Sequence, residues 1–190
     1  MLLLPPRDCT TRPITDRVKE SLFSILQPQI PDKCVLDLFC GTGSLGLEAL
    51  SRGARHACLV EKDKDALQRL KKNIAKLNLQ DRTTVIPADA FQFVTRPWPD
   101  QEDSPNDDLP HSIGLAFVDP PYALSRMTSV ESKLGRLLID LSRRLHHRAV
   151  AVVRHERRVE LSLSYEHLNV ADRREYGGMA LTFLENIIIY

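Results

Sequence analysis

Two short strings carry residue types that could do chemistry together. The first is Phe117-Val118-Asp119-Pro120-Pro121-Tyr122, which closes an apolar run. With proline near 5% of residues, an acid-Pro-Pro-aromatic string arises by chance in well under ~1% of chains this long. The amines on nucleobases are poor nucleophiles, because their lone pair is delocalised into the ring. A carboxylate at Asp119 and the Pro120 carbonyl can each accept one amine N–H. That arrangement favours a pyramidal nitrogen with its lone pair aimed at an electrophilic carbon, and the carboxylate faces the positive charge that develops. Prolines fix φ and donate no N–H, so the carbonyl is held rigidly. Tyr122 offers a face on which a base can stack, worth ~1–3 kcal/mol. The plain reading of the same string is a Pro-Pro turn carrying an exposed tyrosine.

The second string is Val35-Leu36-Asp37-Leu38-Phe39-Cys40-Gly41-Thr42-Gly43-Ser44-Leu45-Gly46. It reads as strand, tight turn, helix, and Gly41, Gly43 and Gly46 fit GxGxxG. Glycines let a chain turn sharply and let backbone N–H groups approach a ligand. On its own this pattern points first to NAD. Asp37, four residues before Gly41, argues otherwise, because an ionised acid there repels a pyrophosphate. It attracts the ammonium and sulfonium of S-adenosylmethionine (AdoMet). Otherwise Asp37 is an acid satisfied within a turn. Glu61, twenty residues after Gly41 at the end of the next apolar run, could accept from both ribose hydroxyls of either ligand. Asp89 and Ala90 end a third run. They could read an adenine edge, or Asp89 could cap a helix over Phe91–Val94.

The elements that must position these strings are legible as apolar runs: Cys34–Leu38, Ala57–Val60, Thr84–Ile86, Leu115–Val118 and Ala149–Val153. Each is nearly all apolar, as in parallel strands covered on both faces. Helical periodicity lies between them. Val18, Leu22, Ile25 and Leu26 share one face, ended by Pro28. Leu45, Ala49 and Leu50 mark a second helix, closed by Gly53. Leu67, Leu70, Ile74 and Leu77 mark a third, whose outer face is basic (Lys64, Arg69, Lys71, Lys72, Lys76). Val130, Leu134, Leu137, Leu138, Leu141 and Leu145 mark the longest. Alternation of this kind predicts right-handed crossovers and an open α/β sheet. The end differs: strands near Leu168–Arg174 and Met179–Ile189 flank Gly177-Gly178, an antiparallel hairpin on the sheet edge.

Length and composition set the frame. The 190 residues, 43% apolar and 27% charged, fit one globular domain over 1–190 and exclude global disorder. The apolar opening Met1–Leu4 stops at Pro5-Pro6, too short for a signal peptide, and no run reaches the ~20 residues of a membrane helix. The expectation is a soluble cytoplasmic protein without a membrane partner, and a monomer by default. Cys9, Cys34, Cys40 and Cys58 sit singly, without metal-ligand or disulfide spacing, so no metal is expected. Residues 1–11 read as an irregular leader. Residues 96–112, with four prolines and the acids Asp100, Glu102, Asp103, Asp107 and Asp108, read as a surface loop. Net charge is +1, but outside residues 100–108, which hold those five acids and no base, 26 Lys and Arg face 20 acids, which allows a basic face elsewhere. The clusters Arg143–Arg148, Arg154–Arg158 and Arg173-Arg174 are candidates for it. His146, His147 and His155 read as surface or RNA-facing residues. Trp98 and Tyr165 read as packing.

Together the Asp37–Gly43 and Asp119–Tyr122 strings resemble class I AdoMet-dependent amino-methyltransferases. Upstream, Arg12-Pro13-Ile14-Thr15-Asp16-Arg17-Val18-Lys19-Glu20-Ser21-Leu22-Phe23 resembles the leader of the RsmD-type bacterial 16S rRNA guanine-N2 methyltransferases. Tyr176-Gly177-Gly178-Met179-Ala180-Leu181 resembles their last hairpin. The likeness spans residues 12–185. It implies a Rossmann-like, mostly parallel seven-strand sheet and one methyl transferred from AdoMet to a guanine 2-amino group. The implied substrate is 16S rRNA or a small-subunit assembly particle. It implies a catalytic set of Asp119, Pro120, Pro121 and Tyr122. For the cofactor it implies Asp37, Phe39, Gly41, Gly43, Glu61, Asp89 and Ala90, and for RNA phosphate Arg12 and Arg17. Two features depart from the family: residues 1–11 do not resemble its usual basic, glycine-containing hairpin, and Ile14 stands at a usual threonine. An adenine-N6 or other nucleobase-amine methyltransferase stays open, as does an RNA-binding chain without catalysis. A dehydrogenase is the remaining reading of the glycine loop.

Overall fold

The computed structural model describes residues 14–96 and 113–188. The leader, Arg12, Cys9, Trp98 and the acidic segment lie outside the described residues. Among the described residues, five strands and six helices come first: α1 (Asp16–Leu26), β1 (Cys34–Leu38), α2 (Ser44–Ser51), β2 (His56–Glu61), α3 (Lys64–Leu77), β3 (Thr83–Pro87), α4 (Ala90–Thr95), β4 (Ile113–Val118), a short α5 (Tyr122–Ser125), α6 (Lys133–Ser142) and β5 (Leu145–Glu156). A two-residue β6 (Ser164–Tyr165) and the hairpin β7 (Leu168–Tyr176) and β8 (Met179–Asn186) complete one sheet. Its order is β3-β2-β1-β4-β5-β8-β7-β6. The first five strands are parallel, and β8, β7 and β6 join antiparallel. The sheet therefore has eight strands where the family resemblance implied seven, the extra one being the β6 stub.

Alternate residues of each strand feed two cores. Val35, Leu59, Leu115, Phe117, Val150, Val152, Leu181 and Phe183 face α1, α2 and α3. Leu36, Leu38, Cys58, Val60, Ala116, Val118, Ala151 and Val153 face α4 and α6. Strands covered on both sides need no polar face, which is why their runs are continuously apolar. The final helix is shorter than its pattern suggested. Val130 lies exposed ahead of it, Ser132 caps Gly135 N–H at 3.0 Å, and Leu145 already belongs to β5. The longest helix is α3, where Asp63 caps the start and Asn78 closes the end in the left-handed region.

Strand order reverses between β1 and β4. One helix layer follows β1 and the other follows β3, so a crevice opens where their carboxyl ends part. Register makes the crevice a single row: Val60, Leu38, Val118 and Val153 are neighbours across β2, β1, β4 and β5. The next residues, Glu61, Phe39, Asp119 and Arg154, therefore arrive together at the rim.

Candidate active site

Asp37 lies in the last turn of β1 with only 1% of its surface exposed. Its Oδ2 accepts from the Gly46 N–H at 2.8 Å. Its Oδ1 is buried and has no hydrogen-bond partner. Burial pushes its pKa up to about 8; the Gly46 N–H pulls the other way, and Asp119 and Glu61 add to the rise. Burial thus favours the neutral form of this acid, where its place before Gly41 suggested a standing negative charge. The buried orphan oxygen is the feature a cationic ligand would satisfy, and such a ligand would restore the charge.

The glycine loop is held from three sides. Gly41 and Gly43 take φ of +56° and +87°. A Cβ on Gly41 would enter open space, whereas one on Gly43 would come within 2.6 Å of Leu70 Cδ1. Glu61 accepts from Gly41 N–H at 2.8 Å through Oε2, and from Lys62 and Asp63 N–H, each at 2.8 Å, through Oε1. Its carboxylate binds β2 to the loop whatever else it does. Buried Asn73, on α3, donates to the Thr42 carbonyl at 3.0 Å. Asn73 escaped sequence reading. A polar residue on the apolar stripe of α3, between Leu70 and Ile74, is the signal that could have found it.

Asp89 does cap α4, accepting from Phe91 N–H at 2.9 Å, and it also accepts from Lys62 Nζ at 3.1 Å. Burial works against its charge, but those two donors hold its pKa below the ordinary value. The capping and the rim position are both real, so the two readings of Asp89 are compatible. Ala90 is buried beside it. Phe39 takes a φ of +65°, unusual without glycine, and packs edge-on to Phe91 with ring centroids 5.4 Å apart. The pair forms a half-buried apolar wall next to the Asp89 turn.

Across the crevice, Asp119 N–H reaches Leu38 O at 3.5 Å. Its Oδ1 accepts from Arg154 Nε at 2.5 Å, and the Arg154 guanidinium lies 5.6 Å from the Tyr122 ring centroid. Burial raises the Asp119 pKa and Arg154 opposes it. Pro120 is buried, Pro121 is exposed and starts α5, and Tyr122 is half-buried. Arg154 was read as part of an exposed basic cluster; it is instead 5% exposed and faces Asp119. His155, expected as a surface or RNA-facing residue, points to the opposite side. It is fully buried, and its Nε2 bonds Thr182 Oγ1 at 2.7 Å. Strand alternation explains both, because all of β5 from Ala149 to Arg154 is covered. Arg17 sits exposed on α1, whose Ser21 Oγ bonds Tyr176 OH of the last hairpin at 2.7 Å. Tyr165 is fully buried, as expected for packing. Among the described residues no cluster of metal-ligating side chains occurs, and no helix is long and apolar enough to cross a membrane.

The family described as Conserved hypothetical protein 95 matches residues 2–185. The Bacillus subtilis protein named "Putative rRNA methyltransferase YlbH" is 36% identical over 178 residues, covering 90% of this chain and 87% of that one. The Escherichia coli ribosomal RNA small subunit methyltransferase D is 43% identical over 111 residues, 58% of this chain and half of that protein. Among solved structures, the one named "Putative methyltransferase yhhF from Escherichia coli" superposes with a TM-score of 0.75 at 30% identity, covering 97% of this chain and 91% of that one. An RNA methyltransferase from Salinibacter ruber shares the fold, with a TM-score of 0.64 at 12% identity over 94% of this chain and 95% of that one.

Proposed function

Since this chain belongs to the Conserved hypothetical protein 95 family of class I methyltransferases, we propose that it methylates the exocyclic 2-amino group of a guanine in small-subunit rRNA, with AdoMet as donor. The observation that carries this reading is the convergence of Asp37 and Asp119 at the carboxyl ends of β1 and β4, where the sheet reverses. One acid has a buried oxygen without a partner, and the other precedes two prolines and a tyrosine. AdoMet supplies an electrophilic methyl carbon on a sulfonium. On this reading Asp37 and the Gly41–Gly43 loop hold its cationic amino-acid end, Glu61 its ribose, and Phe39, Asp89 and Ala90 its adenine.

Asp119 and the Pro120 carbonyl accept the two N–H groups of the target amine and turn its lone pair away from them. The Asp119 carboxylate then faces the positive charge that grows on nitrogen. Buried Pro120 keeps this carbonyl in place, and Tyr122 stacks on the guanine. Asp119 also accepts the surplus proton or passes it to water, leaving a neutral secondary amine. Exposed Arg17, with Arg12 upstream, contacts RNA phosphate.

Labelled AdoMet incubated with the protein and either naked 16S rRNA or small-subunit particles tests this reading. Label in the RNA is expected. Binding of RNA without any transfer to either substrate would favour a non-catalytic role.

A further inference from the structure

We propose that Arg154 is a positioning residue for methyl transfer: its guanidinium engages one oxygen of Asp119 and lies against the Tyr122 ring, so that the acid and the stacking face are fixed relative to one another. This inference rests on the function proposed above. It concerns a residue outside both sequence strings, brought in from β5 by register alone.

Three observations support it. The Val118–Val153 pairing places Asp119 and Arg154 side by side on adjacent parallel strands. Arg154 is buried, so its charge is desolvated and needs a fixed partner. The Nε atom bonds Oδ1 at 2.5 Å, while the guanidinium carbon sits within cation–π range of Tyr122. Arg154 Nε takes up Oδ1, which assigns Oδ2 to an incoming amine. A planar, forked cation suits this double contact better than lysine does.

The groups facing Asp119 are Arg154 from β5, Asp37 from β1 and Tyr122 from its own loop; farther along β5, Glu156 pairs with Arg126 at 2.9 Å. Burial favours a protonated Asp119, and Arg154 is the cation that opposes it. A protonated Asp119 has lost its negative charge and part of its capacity to accept. Arg154 therefore works against protonation of the carboxylate as well as orienting it.

The test has two readouts in the full-length protein. Carbon NMR follows the Asp119 carboxyl titration without RNA, in wild type, Arg154→Gln and Arg154→Met. The pH profile of kcat/KM for methyl transfer is measured on the same proteins. Loss of an opposite charge in contact shifts a carboxyl by about 1–3 pH units. The Asp119 titration and the acid limb should both move up by that amount in the variants. Activity should drop at least about tenfold at pH 7 and recover in part at pH 9, with AdoMet affinity little changed. Unchanged titration in a folded variant, or a loss of activity equal at every pH, overturns the proposal. Two substitutions are used so that one folded variant suffices, and if neither folds, full activity of Arg154→Lys across the pH range, with the charge kept and the fork removed, overturns the positioning role. Absence of any transfer by wild type would count against the parent reading alone, because the titration is read without substrate.

Discussion

Asp37 shows how burial changes what an acid means. Its type and its place before Gly41 were legible in the sequence, but its protonation was not. Desolvation depends on α2 and β2 closing over it, and a string of letters does not contain that closure. The consequence is testable. In the free protein its pKa is near 8, and a bound cation must lower it, so binding releases a proton. Affinity for AdoMet should tighten from pH 6 to pH 7.5, and calorimetry in buffers of different ionisation enthalpy should detect proton release at pH 7. Asp37→Asn should remove that release. Stability follows the opposite sense. The unfolded acid titrates near 3.8 and the folded one near 8, so the native state holds the extra proton between those values. Ligand-free stability should fall as pH rises through this window and level off above it, and the slope should be shallower in Asp37→Asn by thermal melting.

Asp119 is the second residue-scale case. Asp119→Ala should cost at least about 10²–10³ in kcat, the range for removing one preorganised electrostatic group, while AdoMet affinity changes only a few-fold. Single-turnover transfer and calorimetric binding separate the two effects. Asp119 and its prolines announced themselves through a rare string. Arg154 did not, because a basic cluster in sequence is ordinarily a solvated face, and only strand pairing revealed that one member turns inward.

The elements are unevenly legible in the sequence for a physical reason. Strand centres stood out because two covered faces demand continuous apolar residues, and Cys34–Leu38 is recovered without change. Helix ends were harder. Val130 and Leu145 continue the 3.6-residue pattern of α6, yet the Ser132 cap and the turn into β5 cut the helix to ten residues. The two-residue β6 has no periodicity to detect. The glycine loop carries its own prediction. At Gly43 the left-handed φ and the Leu70 and Leu47 side chains both oppose a methyl group, and at Gly46 the methyl would fall 2.3 Å from Leu59 Cδ2. Gly43→Ala should destabilise by roughly 1–3 kcal/mol, the cost of such backbone strain, and should weaken AdoMet binding. Gly41→Ala meets no neighbour, so only its φ opposes it, and it should melt at a higher temperature than Gly43→Ala. Asn73→Ala should cost about 1–3 kcal/mol by leaving the buried Thr42 carbonyl without its donor.

Over the whole molecule, the reversal between β1 and β4 converts two remote strings, some eighty residues apart in the chain, into one crevice. The α1 helix packs on the sheet, with Phe23 against Phe117 at 5.7 Å, and so ties Asp16–Leu26 to β4. RNA contact adds electrostatics on this scale. If Arg17 engages phosphate, Arg17→Glu should weaken rRNA binding and flatten its salt dependence, leaving AdoMet binding unchanged; filter binding across a salt series would show this. The most direct measurement of the central claim is the identity of the product. rRNA methylated by the purified protein is digested to nucleosides and resolved by mass spectrometry with standards. N2-methylguanosine, absent when Asp119 is replaced by alanine, is the predicted result. N6-methyladenosine, or no modified nucleoside from a competent subunit preparation, would contradict the account.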